Sequence, residues 1–235
     1  MTLTPSKTTV TFGTLRAPVL RMPTPAQPRI PTPAERLSAH RMVQRIGNGA
    51  AEIFMAPTFI MPAGCQALCD LIESKRRPST LADPNGDQTF RTSETCDMDA
   101  SIGVVNDVRT AICTLLGIDQ RFAEPLQGQR YSPGQQFKRH GDYFRVGSDD
   151  YEKYCAVSGQ RTWTAMAYLD EPEAGGHTVF SDLDIDMKPT TGTLLMWNNL
   201  LPDGTPNMAT MHQATPVEIG VKRIITLWFR QRPWG

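Results

Sequence analysis

Arg130-Tyr131-Ser132-Pro133-Gly134-Gln135-Gln136-Phe137-Lys138-Arg139-His140-Gly141-Asp142-Tyr143-Phe144 is the stretch on which the reading of this chain turns. A short extended piece ends at Tyr131, Pro133-Gly134 makes a turn, and Gln135 to Phe144 reads as strand. On a strand, residues i and i+2 point to one face. His140 and Asp142 would then offer an imidazole nitrogen and a carboxylate oxygen to one metal ion. A second histidine stands far downstream, in Met211-His212-Gln213. Two histidines and one carboxylate fill one face of a metal and leave the opposite positions open, the donor set of non-haem Fe(II) oxygenases. An isolated His-x-Asp arises often by chance. Here Lys222 follows His212 by ten residues, and all three segments have a strand-like setting.

Outward from that stretch the chain continues as short strands: Arg161 to Leu169, His177 to Phe180, Ile185 to Lys188, Thr193 to Asn198, Ala209 to Ala214 and Lys222 to Phe229. Arg145 to Gly159 reads as a polar loop, with Asp149, Asp150 and Glu152 as a solvated face. Gly175-Gly176 breaks the chain, and Pro202 to Pro206 is a turn-rich loop. Toward the N-terminus the pattern changes to helices. Asp99 to Leu116 carries Ile102, Val105, Val108, Ile112, Leu115 and Leu116 at helical spacing, with Gly117 as terminator. Pro62 to Lys75 is a helix opened by Pro62, with Leu68, Leu71 and Ile72 as its apolar stripe. Ala34 to Ile46 is expected as a short amphipathic helix bearing a surface His40, and Ala51 to Ile60 as a strand interrupted at Pro57. Arg76 to Gln88 is a long loop full of turn signals. Helices followed by about eight short strands predict α+β, with an antiparallel sandwich at the core. Residues 1–33 hold Pro18, Pro23, Pro25, Pro28, Pro31 and Pro33, too many for a helix or central strand, so an extended arm is expected there and a folded domain over 34–235.

In the last strand Lys222, Ile224, Thr226 and Trp228 share one face. If that face lines the pocket, one ammonium sits among apolar neighbours, next to the His212 strand by way of the short Pro216–Gly220 connection. Such a lysine calls for an anion. The anion that completes an Fe(II) centre of this kind is the distal carboxylate of 2-oxoglutarate, and the Tyr131 hydroxyl could donate to it as well. The oxidative chemistry would belong to metal, cosubstrate and O2, and the protein would hold the geometry and exclude water.

From Arg91 to Phe229 the chain resembles the prolyl 4-hydroxylase family of Fe(II)/2-oxoglutarate dioxygenases. The resemblance rests on Arg91, Ser93, Glu124, Gln127, Tyr131-Ser-Pro-Gly134, His140-Gly-Asp142-Tyr-Phe144, Arg161-Thr-Trp-Thr164 and Tyr168-Leu-Asp170. It continues through Gly175-Gly-His-Thr178-Val-Phe180, Pro189, Gly192, His212, Pro216-Val217, Gly220-Val-Lys222 and Trp228. It implies a double-stranded β-helix (jelly-roll) core flanked by N-terminal helices, with His140, Asp142 and His212 on iron and Lys222 and Tyr131 on 2-oxoglutarate. By the same resemblance Thr178 lines the cosubstrate pocket, Arg161 and Trp228 contact substrate or shape its site, and ascorbate serves as reductant. Three positions depart from the family pattern: Phe137 where a tyrosine is frequent, His177 where Glu is frequent, and Arg223 where Trp is usual.

Composition bounds the alternatives. The chain has 235 residues, 40% of them hydrophobic, and a formal net charge of zero. No basic stripe argues for nucleic acid, and no apolar run of about 18 residues argues for a membrane span. Five scattered cysteines, Cys65, Cys69, Cys96, Cys113 and Cys155, do not make a disulfide framework. With no apolar leader, a cytoplasmic location is expected. Three functions compete. The first is hydroxylation of prolyl residues in a peptide or protein, with Arg76–Gln88 and Arg145–Gly159 closing over the substrate. The second is the same chemistry on a free amino acid or other small molecule, motivated by Phe137. The third is a non-catalytic module that binds a partner through its Pro-rich arm.

Overall fold

The computed structural model describes residues 29–79, 87 and 89–234. The chain divides into two units, Met1–Ile30 and Pro31–Gly235. The expected extended arm falls, up to residue 28, outside the described residues. So does most of the tip of the Arg76–Gln88 loop, whose first residues, Arg77–Pro78, form a two-residue edge strand.

The described residues include four α-helices: α1 (Pro33–Ala39), α2 (Pro62–Lys75), α3 (Gly103–Leu116) and α4 (Asp149–Cys155). Helix α2 has the predicted bounds. Helix α1 opens with a capping box, in which Thr32 Oγ1 accepts from Glu35 N and Glu35 reaches back to Thr32 N. It ends at Ala39 rather than near Ile46. His40 is extended, and the chain turns so that Gln44–Arg45 pairs with Phe54–Met55. Helix α3 starts four residues later than expected, because Asp99 Oδ1 accepts from Ser101 N and holds a turn there. Gly117 closes it at φ 70°, a left-handed cap suited to glycine. Helix α4 lies in the segment expected to be a loop. Ser148 caps it, its Oγ accepting from Tyr151 N, and acidic residues fill its first turn.

Among the described residues the strands form two facing antiparallel sheets and a two-stranded ribbon of Ala174–Gly175 with Val217–Ile219. The larger runs, in spatial order, Gln44–Arg45, Ile53–Ala56, Leu194–Asn198, Arg161–Tyr168, Lys222–Arg230, Gln127–Tyr131, Glu94–Asp97 and Arg77–Pro78. The smaller runs Ile185–Met187, Thr178–Phe180, His212–Ala214 and Phe137–His140. Alternation along the central strands sorts the core into two layers. Ala165, Ala167, Ile225, Leu227 and Phe229 join Leu68, Ile72, Val105, Ile112 and Leu116 of α2 and α3 in one apolar cluster. Met166, Tyr168, Ile224 and Tyr131 join Phe180, Trp197 and Val217 in the other, between the sheets.

Candidate metal centre

The Phe137–His140 and His212–Ala214 strands are neighbours in the smaller sheet, with His140 and His212 as directly paired residues. Sequence-distant histidines therefore share one face because their strands pair. Asp142 arrives differently from the sequence expectation. The strand ends at His140, and Asp142 lies in the bend beyond Gly141, so period two is not what aims it. Its carbonyl accepts from Arg161 Nη1 at 3.4 Å, and its Oδ2 accepts from Thr164 Oγ1 at 2.7 Å. His140, Asp142 and His212 each offer one ligating atom, and these atoms lie within 4.8 Å of one another.

The imidazoles are oriented by the backbone. His140 Nδ1 donates to the carbonyl of Lys138 at 2.7 Å, and His212 Nδ1 donates to that of Thr210 at 3.0 Å. A carbonyl only accepts, so each Nδ1 carries a proton and Nε2 is the ring atom left to face a cation. Phe137 stacks on His140 with ring centroids 3.5 Å apart. Phe180 and Trp197 each hold His212 at 5.0 Å. Burial, reinforced by the neighbouring His212, pushes the His140 pKa down to about 3, so its imidazole is neutral at physiological pH. Burial pushes the Asp142 carboxyl up, but His212, His140, Arg161 and the Thr164 hydrogen bond outweigh it and hold it below the ordinary value. Two imidazoles and one carboxylate, stacked and hydrogen-bonded in place, fit a divalent cation with open positions.

A small pocket of about 30 Å³ is lined by these residues together with Lys222. The strand that carries Lys222 is in the larger sheet, between Gln127–Tyr131 and Arg161–Tyr168, not beside the His212 strand as the short connection suggested. Lys222 faces the histidines across the space between sheets. It is 0% exposed; its Nζ donates to Thr178 Oγ1 at 3.3 Å and lies 5.4 Å and 5.6 Å from the Tyr131 and Tyr168 ring centroids. Burial pulls its pKa down to about 7, against a weaker upward pull from Asp170. Tyr131 is the directly paired neighbour of Lys222, and its hydroxyl donates to Gln129 Oε1 at 3.2 Å. Lys222, Tyr131 and Thr178 thus meet in the lining of the pocket that His140, Asp142 and His212 also line, where they can receive a carboxylate.

Arg161 and Trp228 form part of a wall. Arg161 Nε and Nη2 donate to Glu124 at 2.7 Å and 2.8 Å, and its guanidinium lies 4.0 Å from the Trp228 ring centroid. Burial lowers the Arg161 pKa, but Glu124 more than offsets it and keeps the guanidinium charged. Arg91 donates to Ser93, Thr95 and Gln127 and covers the Phe137 ring at 4.9 Å. The segment 145–159, expected to be a polar loop, carries α4 and is tied to its surroundings. Gln160 holds both the N–H and the carbonyl of Phe144, Arg230 donates to Tyr154 O, and Arg232 donates to the carbonyls of Cys155, Ala156 and Val157. His177 stays outside the metal-binding group and pairs with Asp186 Oδ1 at 2.6 Å. Arg223 points to the opposite face of its strand and pairs with Glu73 and Asp170. Sequence reasoning did not single out Thr164. Its signal was its place in the Thr164, Met166, Tyr168 register, a hydroxyl on a face otherwise filled by large side chains.

Residues 126–230 match the family model described as the 2OG-Fe(II) oxygenase superfamily. The prolyl 4-hydroxylase subunit alpha-1 of Gallus gallus is 36% identical over 129 residues, 55% of this chain and 25% of that protein. The Homo sapiens subunit alpha-1 is 31% identical over 178 residues, 74% of this chain and 33% of that protein. The chain thus spans about a quarter to a third of the length of these curated relatives. Among solved structures, a viral collagen prolyl hydroxylase from Paramecium Bursaria Chlorella virus-1, in complex with 2OG, superposes with a TM-score of 0.61. It is 27% identical, over 76% of this chain and 95% of that one. Family model, relatives and fold agree with the geometry around His140, Asp142 and His212, and the chain belongs to the prolyl 4-hydroxylase family of 2OG-Fe(II) oxygenases.

Proposed function

We propose that this chain is an Fe(II)- and 2-oxoglutarate-dependent dioxygenase that hydroxylates prolyl residues of a peptide or protein. One observation carries the reading: the His140–Asp142–His212 group and a fully buried ammonium, Lys222, line the same pocket. Similarity to a prolyl 4-hydroxylase subunit and to a viral collagen prolyl hydroxylase supports prolyl substrates. His140, Asp142 and His212 would hold the iron, which together with 2-oxoglutarate and O2 supplies the oxidant and leaves succinate and CO2. Lys222 and Thr178 bind the distal carboxylate of the cosubstrate, with Tyr131 beside them. The dicarboxylate then supplies the charge partner that Lys222 lacks in its apolar surroundings, and the ammonium is held protonated by it. Phe180, Trp197 and Ile224 keep bulk water from this part of the pocket. Glu124 and Arg161 fix Trp228 as a wall, and α4 forms a second fixed wall beside Phe144.

The domain is placed over 34–235, with α1 to α3 as the helical support of a jelly-roll core. Ascorbate is the proposed reductant. Five buried free cysteines support a reducing, cytoplasmic setting.

The test incubates the full chain with Fe(II), 2-oxoglutarate, ascorbate and Pro-rich peptides, and measures succinate and peptide mass. The expected result is succinate release that depends on peptide, with one oxygen gained on proline. A second reading, the same chemistry on a free amino acid or other small molecule, is favoured by Phe137. Its apolar ring, stacked on His140, offers no hydroxyl to a peptide. Turnover with free amino acids and none with peptides would replace the first reading by the second. Absence of iron binding and of 2-oxoglutarate conversion would leave a non-catalytic module.

A further inference from the structure

We infer that Asn199 and Thr164 are positioning residues that fix which oxygen of Asp142 faces the metal. The inference rests on the metal centre proposed above. Three buried groups lie in line. Asn199 Nδ2 is 2.9 Å from Thr164 Oγ1, and Thr164 Oγ1 is 2.7 Å from Asp142 Oδ2. Asn199 and Thr164 are both 0% exposed, so water does not compete for these bonds.

The chemistry of the donors sets a direction along the line. An amide nitrogen donates and does not accept, so Thr164 Oγ1 must accept from Asn199. Its single hydroxyl proton is then directed to Asp142, whose carboxylate only accepts. Asn199 thereby removes the alternative in which the hydroxyl turns away and accepts from a neighbour. Oδ2 is engaged by Thr164, and Oδ1 is left to the cation. Without this bond the carboxylate could rotate or offer both oxygens, because Asp142 lies in a bend rather than on the strand.

Asn199 is itself held on both sides by backbone. Its N–H donates to Thr162 O at 2.7 Å, and its carbonyl accepts from Asn207 N at 2.9 Å. Thr164 lies in the middle of the Arg161–Tyr168 strand, paired with Trp197 on one side and Trp228 on the other. The line thus begins on the larger sheet and ends on the one ligand that neither sheet carries. A ligand held only by a bend needs such outside support, and outer contacts of this kind change metal affinity by about 10- to 100-fold.

The test measures divalent metal affinity anaerobically in the full chain, by titration with Co(II) followed by its visible spectrum and with Fe(II) in competition. Thr164→Val keeps shape and removes the hydroxyl. It should raise the metal dissociation constant about 10- to 100-fold, while Thr164→Ser stays within about threefold of wild type. Asn199→Asp replaces the donor by an acceptor, so the Thr164 hydroxyl is drawn toward residue 199. It should weaken metal binding about as much as Thr164→Val, and the double variant should be no weaker than either single one. Far-UV circular dichroism establishes that each variant is folded; if Thr164→Val fails to fold, Asn199→Asp decides. Wild-type metal affinity in a folded Thr164→Val or Asn199→Asp, or full additivity of the two, would overturn the inference while leaving the proposed function intact. A wild-type chain that binds no divalent metal would overturn both.

Discussion

The Lys222–Arg230 strand faces two different interiors. Ile225, Leu227 and Phe229 turn toward α2 and α3 and are fully buried in an apolar layer that includes Leu68, Ile72 and Ile112. Lys222, Ile224, Thr226 and Trp228 turn the other way and line the cavity with His140, Asp142 and His212. The first interior gains stability from apolar area removed from water. The second holds an ammonium, a carboxylate and two imidazoles out of water, which costs stability unless a ligand completes them. Adjacent residues of one strand therefore do opposite work, and the period of two keeps the two kinds of chemistry apart.

The sharpest way to break this division is to truncate one residue on each side. His212→Ala should remove metal binding and lower 2-oxoglutarate turnover by about a thousandfold or more, a barrier increase of about 4 kcal/mol, with the unfolding midpoint little changed. Leu227→Ala should do the reverse, costing about 2–5 kcal/mol of stability while the remaining folded protein binds metal as wild type does. Denaturant unfolding and metal titration read the two effects separately. If His212→Ala melted the fold, or Leu227→Ala abolished metal binding without unfolding, the two interiors would be one.

Lys222→Met tests the cost directly, on the smaller scale of stability alone. The Lys222 pKa in the fold is about 7, below its ordinary value near 10.5, because burial disfavours the charge. Between these values the unfolded chain binds the proton more readily than the folded one. The penalty is absent above the ordinary value, grows as pH falls toward 7, and stays constant below that. Replacing Lys222 by Met should thus stabilise the ligand-free protein by more than about 1.4 kcal/mol at pH 7. The gain should shrink as pH rises toward 10, and 2-oxoglutarate should no longer protect the variant from unfolding. Thermal melts across pH, with and without 2-oxoglutarate, measure all three. A variant less stable than wild type at pH 7 would show that Lys222 is compensated in some way other than by its cosubstrate.

This division also explains what could be read from the sequence. The alternation in KRIITLWF and RTWTAMAY was legible, because a strand buried on both sides repeats every two residues whatever its partners are. The histidines and Lys222 were legible as types, and α2 was legible through its stripe and Pro62. Pairing between distant strands was not. Sequence proximity put Lys222 beside His212, whereas the sheets put them opposite each other. Asp142 looked like the next inward residue of a strand that in fact stops at His140. Helix α4 was missed because its seven residues bury little besides Cys155, so no apolar period announces it and only the Ser148 cap does. Arg223 looked like a departure near the pocket; it belongs to the other face of the strand, where Glu73 of α2 receives it.

That last group of charges gives the smallest predicted effect and the finest test of the comparison. Near the ends of their strands, Arg130 and Arg223 point outward where the middle of the sheet has apolar residues, while their neighbours Tyr131 and Lys222 point inward. Glu73 on α2 pairs with both arginines, and Asp170 also pairs with Arg223. Burial raises the Glu73 pKa, and the two arginines together outweigh it and lower it overall. The carboxylate is a third exposed, so solvent screens the pairs and their loss is worth less than about 1 kcal/mol. Glu73→Gln should accordingly lower the unfolding midpoint only slightly, more at low salt than at high salt. The dissociation constant for 2-oxoglutarate should stay within about threefold of wild type, because Lys222 lies on the opposite side of the sheet from the altered charge. A larger change would mean that Arg223, released from Glu73, shifts the Asp170 field felt by Lys222, and that the outer face tunes the inner one through a single peptide unit.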